Sequence, residues 1–475
     1  MMPILDKEFG VLSRQCSVVI EALLESCARS EGDLSSAEQA LANAVLSLRS
    51  ILVSSATRVC VSVAAHDYYC PDCGSALAGW GTTDRCIVTS SGEGTFPSER
   101  YRCRVCRTDH YPWQVAQGLD EKNQFTLSAR ELIAQEVADA PFGDASERLK
   151  RMGLVVSASE ASRIGCEVAQ WRKQEQEVVR SSSCRGDKAL SVPLHDWSNW
   201  PAITSADQVV VFSADGAKAR STEVGPKGLE WFEVRSGIIR LAGDDHRHSR
   251  KICVGGILEP DKLFETMRSQ WWQAPASWHE RGPQRPRTVF VADGAEWIWD
   301  RAGWYFPHCV QILDIYHAAQ HVGSAARAAW GADHRHARLW ADIAIPWLLE
   351  VGGATGIICA LVGVLRSGRA VDPDELRKEI RYFWRHRHRM RYHRWKAEGL
   401  PIGSGAMEST IKQLSTQRLR RAGMKWTRAN ADLMVHLRAA TLSKALTLTI
   451  ERERRIRANR ALKFNKPTQG LAIAV

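Results

Sequence analysis

The sequence predicts a multi-domain α/β protein, and three observations carry that expectation. The chain has 475 residues, more than one ordinary core holds at roughly 100–200 residues per domain. Two β-branched, apolar runs, QVVVFSADGAK (208–218) and RTVFVADGAEWIW (287–299), each end in Asp-Gly, so a strand pattern recurs within one region. The segments on either side keep their apolar residues at helical spacing instead.

The charge balance narrows the partners. With 64 Lys+Arg against 53 Asp+Glu the formal charge is +11, which favours a polyanionic partner. The chain reads as lacking an apolar run of the ~20 residues that span a bilayer, and MMPILDKEFG lacks a charged region followed by an apolar core. A cytoplasmic protein with no membrane partner is therefore expected. The 13 cysteines are an odd number, and only four fall in paired short spacing, which argues against a secreted disulfide scaffold.

Residues 1–58 form an N-terminal helical region. Val19, Leu23 and Leu24, then Leu41, Val45 and Leu48, fall at helical spacing on either side of Gly32, giving two amphipathic helices suited to packing or oligomerisation. Residues 59–118 read as a zinc ribbon. Cys70 with Cys73 and Cys103 with Cys106 make two CxxC pairs, each able to aim two thiolates at one ion from a tight turn. Together they make a closed, structural Zn²⁺ site. The spacer between the pairs exceeds the roughly 15–20 residues that are common, and a longer hairpin accommodates it. Cys86 and His110 are reserve ligands.

Residues 119–180 read as a helix-turn-helix-like DNA-binding region, with an ordinary helical hairpin as the alternative. Asp144 with Glu147 and Ser157 with Glu160 resemble capping boxes at two helix starts, separated by a turn at Gly153. Residues 181–206 form an irregular linker. The next domain opens with the first Asp-Gly run, continues through the strand patterns LEWFEVRSGIIRLA and KICVGGILE and a helix over DKLFETMRSQWW, and reaches the second Asp-Gly run. A strand-to-helix unit follows, HCVQILDIYHAAQHVGSAARAAW (308–330), with Asp314 and His317 at its crossing point. That order over 207–330 matches the first part of an RNase H-like core, in which Asp215 and Asp293 stand at strand ends. Carboxylates so placed hold two Mg²⁺ (or Mn²⁺) ions roughly 3.5–4 Å apart for in-line attack at a phosphodiester.

SADGAK, VADGAEWIW, LDIYHAAQHV and IGSGAMESTIKQ, followed by RLRRAGMKW, resemble the DDE transposases of bacterial insertion sequences, closest to the ISKra-type elements and their Mutator-like relatives. The likeness runs from the zinc ribbon to about residue 440. It implies that Asp215, Asp293 and Glu408 are the three catalytic, metal-binding acids, and that Asp314 and His317 form an Asp-x-x-His signature whose histidine contacts DNA or orients a site group. It also implies that 331–400 is an all-helical insertion and 401–440 the last part of the core, carrying the third acid and its following helix. The expected activity is binding of element ends, then DNA cleavage and strand transfer. The expected partners are double-stranded DNA, as element ends and target, and further copies of the chain in a nucleoid-associated assembly.

RYFWRHRHRMRYHRWK (381–396) contains no acid. Arg381, Arg385, Arg387, Arg389, Arg391, Arg394 and Lys396 interleave there with Trp384, Tyr392 and Trp395, so cations can neutralise phosphates while aromatic faces stack on unpaired bases. Arg418, Arg420, Arg421 and Lys425 extend the basic surface, and 441–475 is expected as a basic tail. Ser404 is placed to cap a helix carrying Glu408, and Gly403 and Gly405 to allow a tight turn before it. Two alternatives stand beside this reading. An RNA-guided nuclease fits poorly, because its zinc ribbon usually interrupts the catalytic domain before a final Asp. A catalytically inactive, transposase-derived DNA-binding protein has no support in the sequence, since all three acids are present.

Overall fold

The structure, a computed structural model, describes residues 2–30, 33–64, 67–119, 124–185, 193–200, 205, 207–225, 228–243, 250–275, 278, 286–332 and 334–465. The chain divides into two compact units, Met1–Trp171 with Leu446–Val475, and Arg172–Ala445.

The first unit begins with two helices, Met2–Arg29 and Leu34–Ser62. The Asp33 carboxylate starts the second by accepting the N–H groups of Ser35 and Ser36; Gly32 itself lies outside the described residues. Among the described residues one helix, Leu34–Ser62, is long and apolar enough to cross a membrane by length and composition, its most apolar 18-residue stretch having a mean hydropathy of 1.4. Its scattered Ser and Thr residues hid that run from a reading by uninterrupted apolar stretches. Its Val53 and Val61 are buried in one cluster with Ile87, Phe96 and Leu119.

Strands β1 (Leu77–Thr89) and β2 (Gly92–Cys103) form an antiparallel hairpin, and β3 (Asp109–His110) pairs with β2. The helix Leu34–Ser62 lies so close to β2 that a Cβ on Gly94 would sit 2.7 Å from a Val53 methyl. Helices Pro112–Gln117, Leu127–Asp139 and Phe142–Arg151 follow, then Ala158–Arg185, which crosses the boundary between the units. The Ser157–Glu160 capping box is present, with Glu160 N–H 3.2 Å from Ser157 Oγ. Asp144 is no cap: the helix starts one turn earlier, after Pro141, and Asp144 falls in its first turn. Ala158–Arg185 has 28 residues against ten in Phe142–Arg151, so the two helices on either side of the Gly153 turn are very unequal. The expected basic tail contains a helix, Leu446–Ala461, packed on Pro112–Gln117 and Leu127–Asp139, with Arg457 buried and donating to the Gly118 carbonyl at 2.7 Å. Of the expected linker, residues 186–192, 201–204 and 206 lie outside the described residues; Trp197–Asn199 form a 3₁₀ turn.

The second unit is built on a five-stranded mixed sheet of order β6-β5-β4-β7-β8. β4 (Val209–Gly225), β5 (Gly228–Leu241) and β6 (Lys251–Gly256) are antiparallel neighbours, while β7 (Arg287–Ala292) and β8 (Val310–Leu313) run parallel to β4. Near-continuous apolar runs in the central strands bury both faces. Phe212, Phe290, Ile239, Val254 and Ile312 are wholly buried, with Phe264 and Met267 of helix Pro260–Trp271 packed into the same core. Helices Glu296–Tyr305 and Ile315–Trp330 follow β7 and β8. Three more, Arg335–Trp347, Gly353–Arg366 and Pro373–His386, fill the region expected as a helical insertion. After the short helices Tyr392–Ala397 and Gly405–Ile411 the chain passes through a π-helical turn, Lys412–Thr416, before helix Arg428–Leu442 packs on β6.

Candidate acidic site and metal centre

The sheet register brings the first two acids side by side. Phe212 of β4 stands opposite Phe290 of β7 in the last parallel rung between them, and three residues further along each chain are Asp215 and Asp293. Equal offsets in a parallel pair put both on one face. Ala292 stands opposite Leu313 of β8, so one residue further are Asp293 and Asp314. Asp215 is not the last residue of its strand, as the sequence suggested. β4 continues to Gly225 as a long hairpin with β5, Asp215 facing Ser236, and only the pairing with β7 ends before it.

The glycines of both Asp-Gly dipeptides have close neighbours. A Cβ on Gly216 would meet the Glu233 carboxylate at 2.6 Å, and one on Gly294 would overlap the Tyr382 hydroxyl. Neither glycine has a positive φ; the Tyr382 ring leaves no room for a side chain at Gly294, while at Gly216 the mobile end of Glu233 could give way.

Charge ties the third acid to this pair. The Asp215 carboxyl is pushed up from 3.8 to about 6, mainly by burial and next by the charge of Asp293; the Gly216 N–H, 2.6 Å away, opposes this, and the charges of Glu408 and Glu233 add to it. Glu408 lies on helix Gly405–Ile411, which packs against β4 and β5, and its exposed carboxylate pairs with Lys412 Nζ at 2.7 Å. The three acids do not draw their oxygens within 4.8 Å of one another as the cysteines described below do with their sulfurs.

Asp314 is engaged differently. One carboxylate oxygen accepts the N–H groups of Tyr316 at 2.7 Å and His317 at 3.4 Å, capping helix Ile315–Trp330; the other accepts the Ser404 N–H at 2.9 Å and the Ser404 hydroxyl. Ser404 therefore does not cap its own helix with its side chain, as expected, because its hydroxyl is spent on Asp314.

Burial lowers the His317 pKa, opposed by the charge of Asp293. Its ring lies 4.9 Å from that of His321, which stacks on Tyr382 at 3.6 Å and bonds Glu379 at 2.7 Å through Nδ1. The Tyr382 hydroxyl is buried without a hydrogen-bond partner, and burial and the charge of Asp293 raise its pKa. Sequence reading missed this group. Glu379 and Tyr382 share a helix face at i,i+3, but nothing local ties them to His321.

Helix Pro373–His386 and Gly294 border a groove of about 550 Å³ lined by Lys378, Arg381, Tyr382, Trp384 and Arg385. Arg381, Arg385, Arg387, Arg391, Arg394 and Lys396 are exposed, as are Arg420, Arg421 and Lys425. The run is less bare than its sequence suggests: Arg385 pairs with Glu296, Arg394 with Glu398 at 2.7 Å, and Arg387 covers Trp384 at 4.0 Å. Half-buried Arg389 bonds Gln311 and lies over Trp299. Three expected DNA contacts are corrected by burial. Trp395 packs in the core, Tyr392 donates to the Leu313 carbonyl at 2.9 Å, and Arg418 is wholly buried over the ring of Trp426. Of the three aromatics expected to stack on bases, Trp384, Tyr392 and Trp395, only Trp384 is exposed.

In the first unit, the sulfurs of Cys70, Cys73, Cys103 and Cys106 lie within 4.8 Å of one another, which suits a tetrahedral ion with Zn–S near 2.3 Å and S···S near ~3.8 Å. Their two turns repeat. Gly74 N–H bonds the Cys70 carbonyl and Arg107 N–H the Cys103 carbonyl, both at 2.9 Å, and both residues have positive φ, 71° and 59°. Hydrogen bonds from Ser75 lower the Cys73 thiol pKa, while its hydrogen bond with Cys106 pushes that thiol up, so one sulfur of the coupled pair is drawn towards the thiolate that binds metal. His110 Nε2 is 3.6 Å from Cys70 Sγ, and with Asp72 these form a second, overlapping group; Cys86 belongs to neither.

No protein-family model matches the chain, and no curated protein matches it.

Proposed function

We propose that the protein is a DDE-type transposase, which binds the ends of its mobile element and cuts and joins DNA strands there. The observation that carries the reading is the shared position of Asp215 and Asp293 beyond the last rung of two parallel strands, with the charge of Glu408 acting on Asp215. The strand order, three antiparallel strands continued by two parallel ones, supports the reading as an RNase H-like core.

The donor set suits the ions this chemistry uses. Asp215, Asp293 and Glu408 are hard oxygen donors, and the Asp215 carboxyl is raised first by burial and then by the charge of Asp293. Two Mg²⁺ or Mn²⁺ ions held by these residues would supply Lewis acidity for attack at, and departure from, the phosphodiester phosphorus. The protein's own contribution is positioning. The exposed cations around the groove at Gly294 hold the backbone of a DNA end, and Trp384 offers a face for an unpaired base. The four-cysteine centre supports the fold of the first unit through structural zinc.

The test uses purified protein, Mg²⁺ and DNA carrying the sequences that flank its own reading frame. Cleavage at the ends is expected, abolished by Asp215→Asn, Asp293→Asn or Glu408→Gln while DNA binding survives. Undiminished cleavage in these variants refutes the site. Binding without cleavage by the unaltered protein favours a non-catalytic, transposase-derived DNA-binding protein.

A further inference from the structure

Two segments ninety residues apart meet at one carboxylate. Asp314 follows β8, and Ser404 precedes the helix that carries Glu408. The Ser404 N–H and hydroxyl both donate to the same Asp314 oxygen, and beside them the Ile315 N–H donates to the Ile402 carbonyl at 3.0 Å. Ser404 is also the first link of the following turn, since its carbonyl accepts the N–H groups of Met407 at 2.7 Å and Glu408 at 3.1 Å. A Cβ on Gly403 would meet the Tyr316 ring at 3.2 Å, so the chain passes close over the start of helix Ile315–Trp330.

We propose that Asp314 is a positioning residue whose grip on Ser404 sets where the Glu408 carboxylate stands relative to Asp215 and Asp293. The rest of the geometry around Glu408 makes such a grip necessary. Its helix has seven residues, no side-chain cap, and a π-helical turn directly after it, and so short a helix has little stability of its own. The Glu408 side chain is exposed, and among the described residues its carboxylate pairs only with Lys412, which is worth little in water. Asp314 is buried, and hydrogen bonds to a buried carboxylate are the strong kind. The fixed point is thus the end of β8, one rung from Asp293, and Glu408 is carried on it by four residues of chain.

The consequence for catalysis rests on the transposase reading; the grip itself does not. Asp314→Asn separates the two sides of the carboxylate. Asparagine caps a helix as well as aspartate, so the bonds to Tyr316 and His317 survive. Its amide N–H₂, however, faces the Ser404 backbone N–H, which can only donate, so that bond is lost and the hydroxyl must turn to accept. Hydrogen–deuterium exchange on the metal-free, DNA-free full chain should show residues 402–408 exchanging roughly tenfold faster, with helix Ile315–Trp330 unchanged. On element ends kcat should fall roughly 100-fold at unchanged KM for DNA. The pair Asp314→Asn with Ser404→Asp, which sets an acceptor against the new amide, should recover part of both.

Unchanged exchange over 402–408, or an equal rise across Ile315–Trp330, overturns the proposal. So does faster exchange with kcat intact, or a double variant no better than the single one. If the unaltered protein fails to cleave its own ends, the transposase reading falls, and the exchange measurements still decide whether Asp314 holds Ser404.

Discussion

Replacing Asp215 with asparagine should stabilise the metal-free protein even as it ends cleavage. The Asp215 carboxyl titrates near 6 instead of 3.8 because burial and the charges of Asp293, Glu408 and Glu233 outweigh the single Gly216 N–H that favours its charged form. At 1.36 kcal/mol per pH unit, holding that group ionised at neutral pH costs about 3 kcal/mol of folding free energy. The sign follows from the direction of the shift. Below about pH 4 the carboxyl is protonated in both folded and unfolded chains, and the cost is absent. As pH rises towards about 6 the unfolded chain loses its proton first, so the folded state loses relative stability, and above that the penalty is constant. Asparagine keeps an oxygen for the Gly216 N–H and carries no charge at any pH.

Urea denaturation of both proteins from pH 4 to pH 8, without divalent cations, should therefore show curves that nearly coincide at the acid end. They should separate through the interval to a plateau of up to about 3 kcal/mol in favour of Asp215→Asn. Adding Mg²⁺ at pH 8 should raise the stability of the unaltered protein more than that of the variant and narrow the gap. A variant equally or less stable at pH 8, or a gap independent of pH, would refute the argument that burial and the neighbouring acids hold the Asp215 carboxyl up.

The zinc content of the purified chain should be about one ion, falling to near zero in Cys103→Ser and remaining near one in Cys86→Ser, as read by elemental analysis. The two tryptophans of the basic run should separate cleanly. Trp395→Ala should cost roughly 3–5 kcal/mol of stability because it empties a core position. Trp384→Ala should stay within about 0.5 kcal/mol in stability and weaken binding of single-stranded or distorted DNA ends by about 1–3 kcal/mol. Equal effects of the two on stability would contradict their burial.

The features legible in the sequence are those whose physics is local or periodic. Alternation and apolar runs placed all five strands of the second unit, the CxxC spacing placed the four sulfurs, and Ser157 with Glu160 marked a helix start. The repeated Asp-Gly marked Asp215 and Asp293 because a buried strand that runs into an acid is conspicuous along the chain. What the sequence could not decide is which side of a helix meets the core. The run at 381–396 is uniformly basic as text, yet tertiary packing buries Tyr392 and Trp395, and further on it seats Arg418 over Trp426, leaving only part of the cationic set on the surface.

The same division holds at the acids. Local pattern singles out Asp215 and Asp293, which end two similar apolar runs, while Glu408 is named only through the resemblance to a family. Only the tertiary structure decided that Asp215 sits within a long hairpin and not at a strand end, that the Tyr382 ring closes over Gly294, and that Ser404 serves Asp314 instead of its own helix. Those outcomes depend on register between strands and on contacts between segments far apart in sequence. Neither leaves a local trace, because a hydrogen bond across ninety residues places no constraint on the neighbours of either partner.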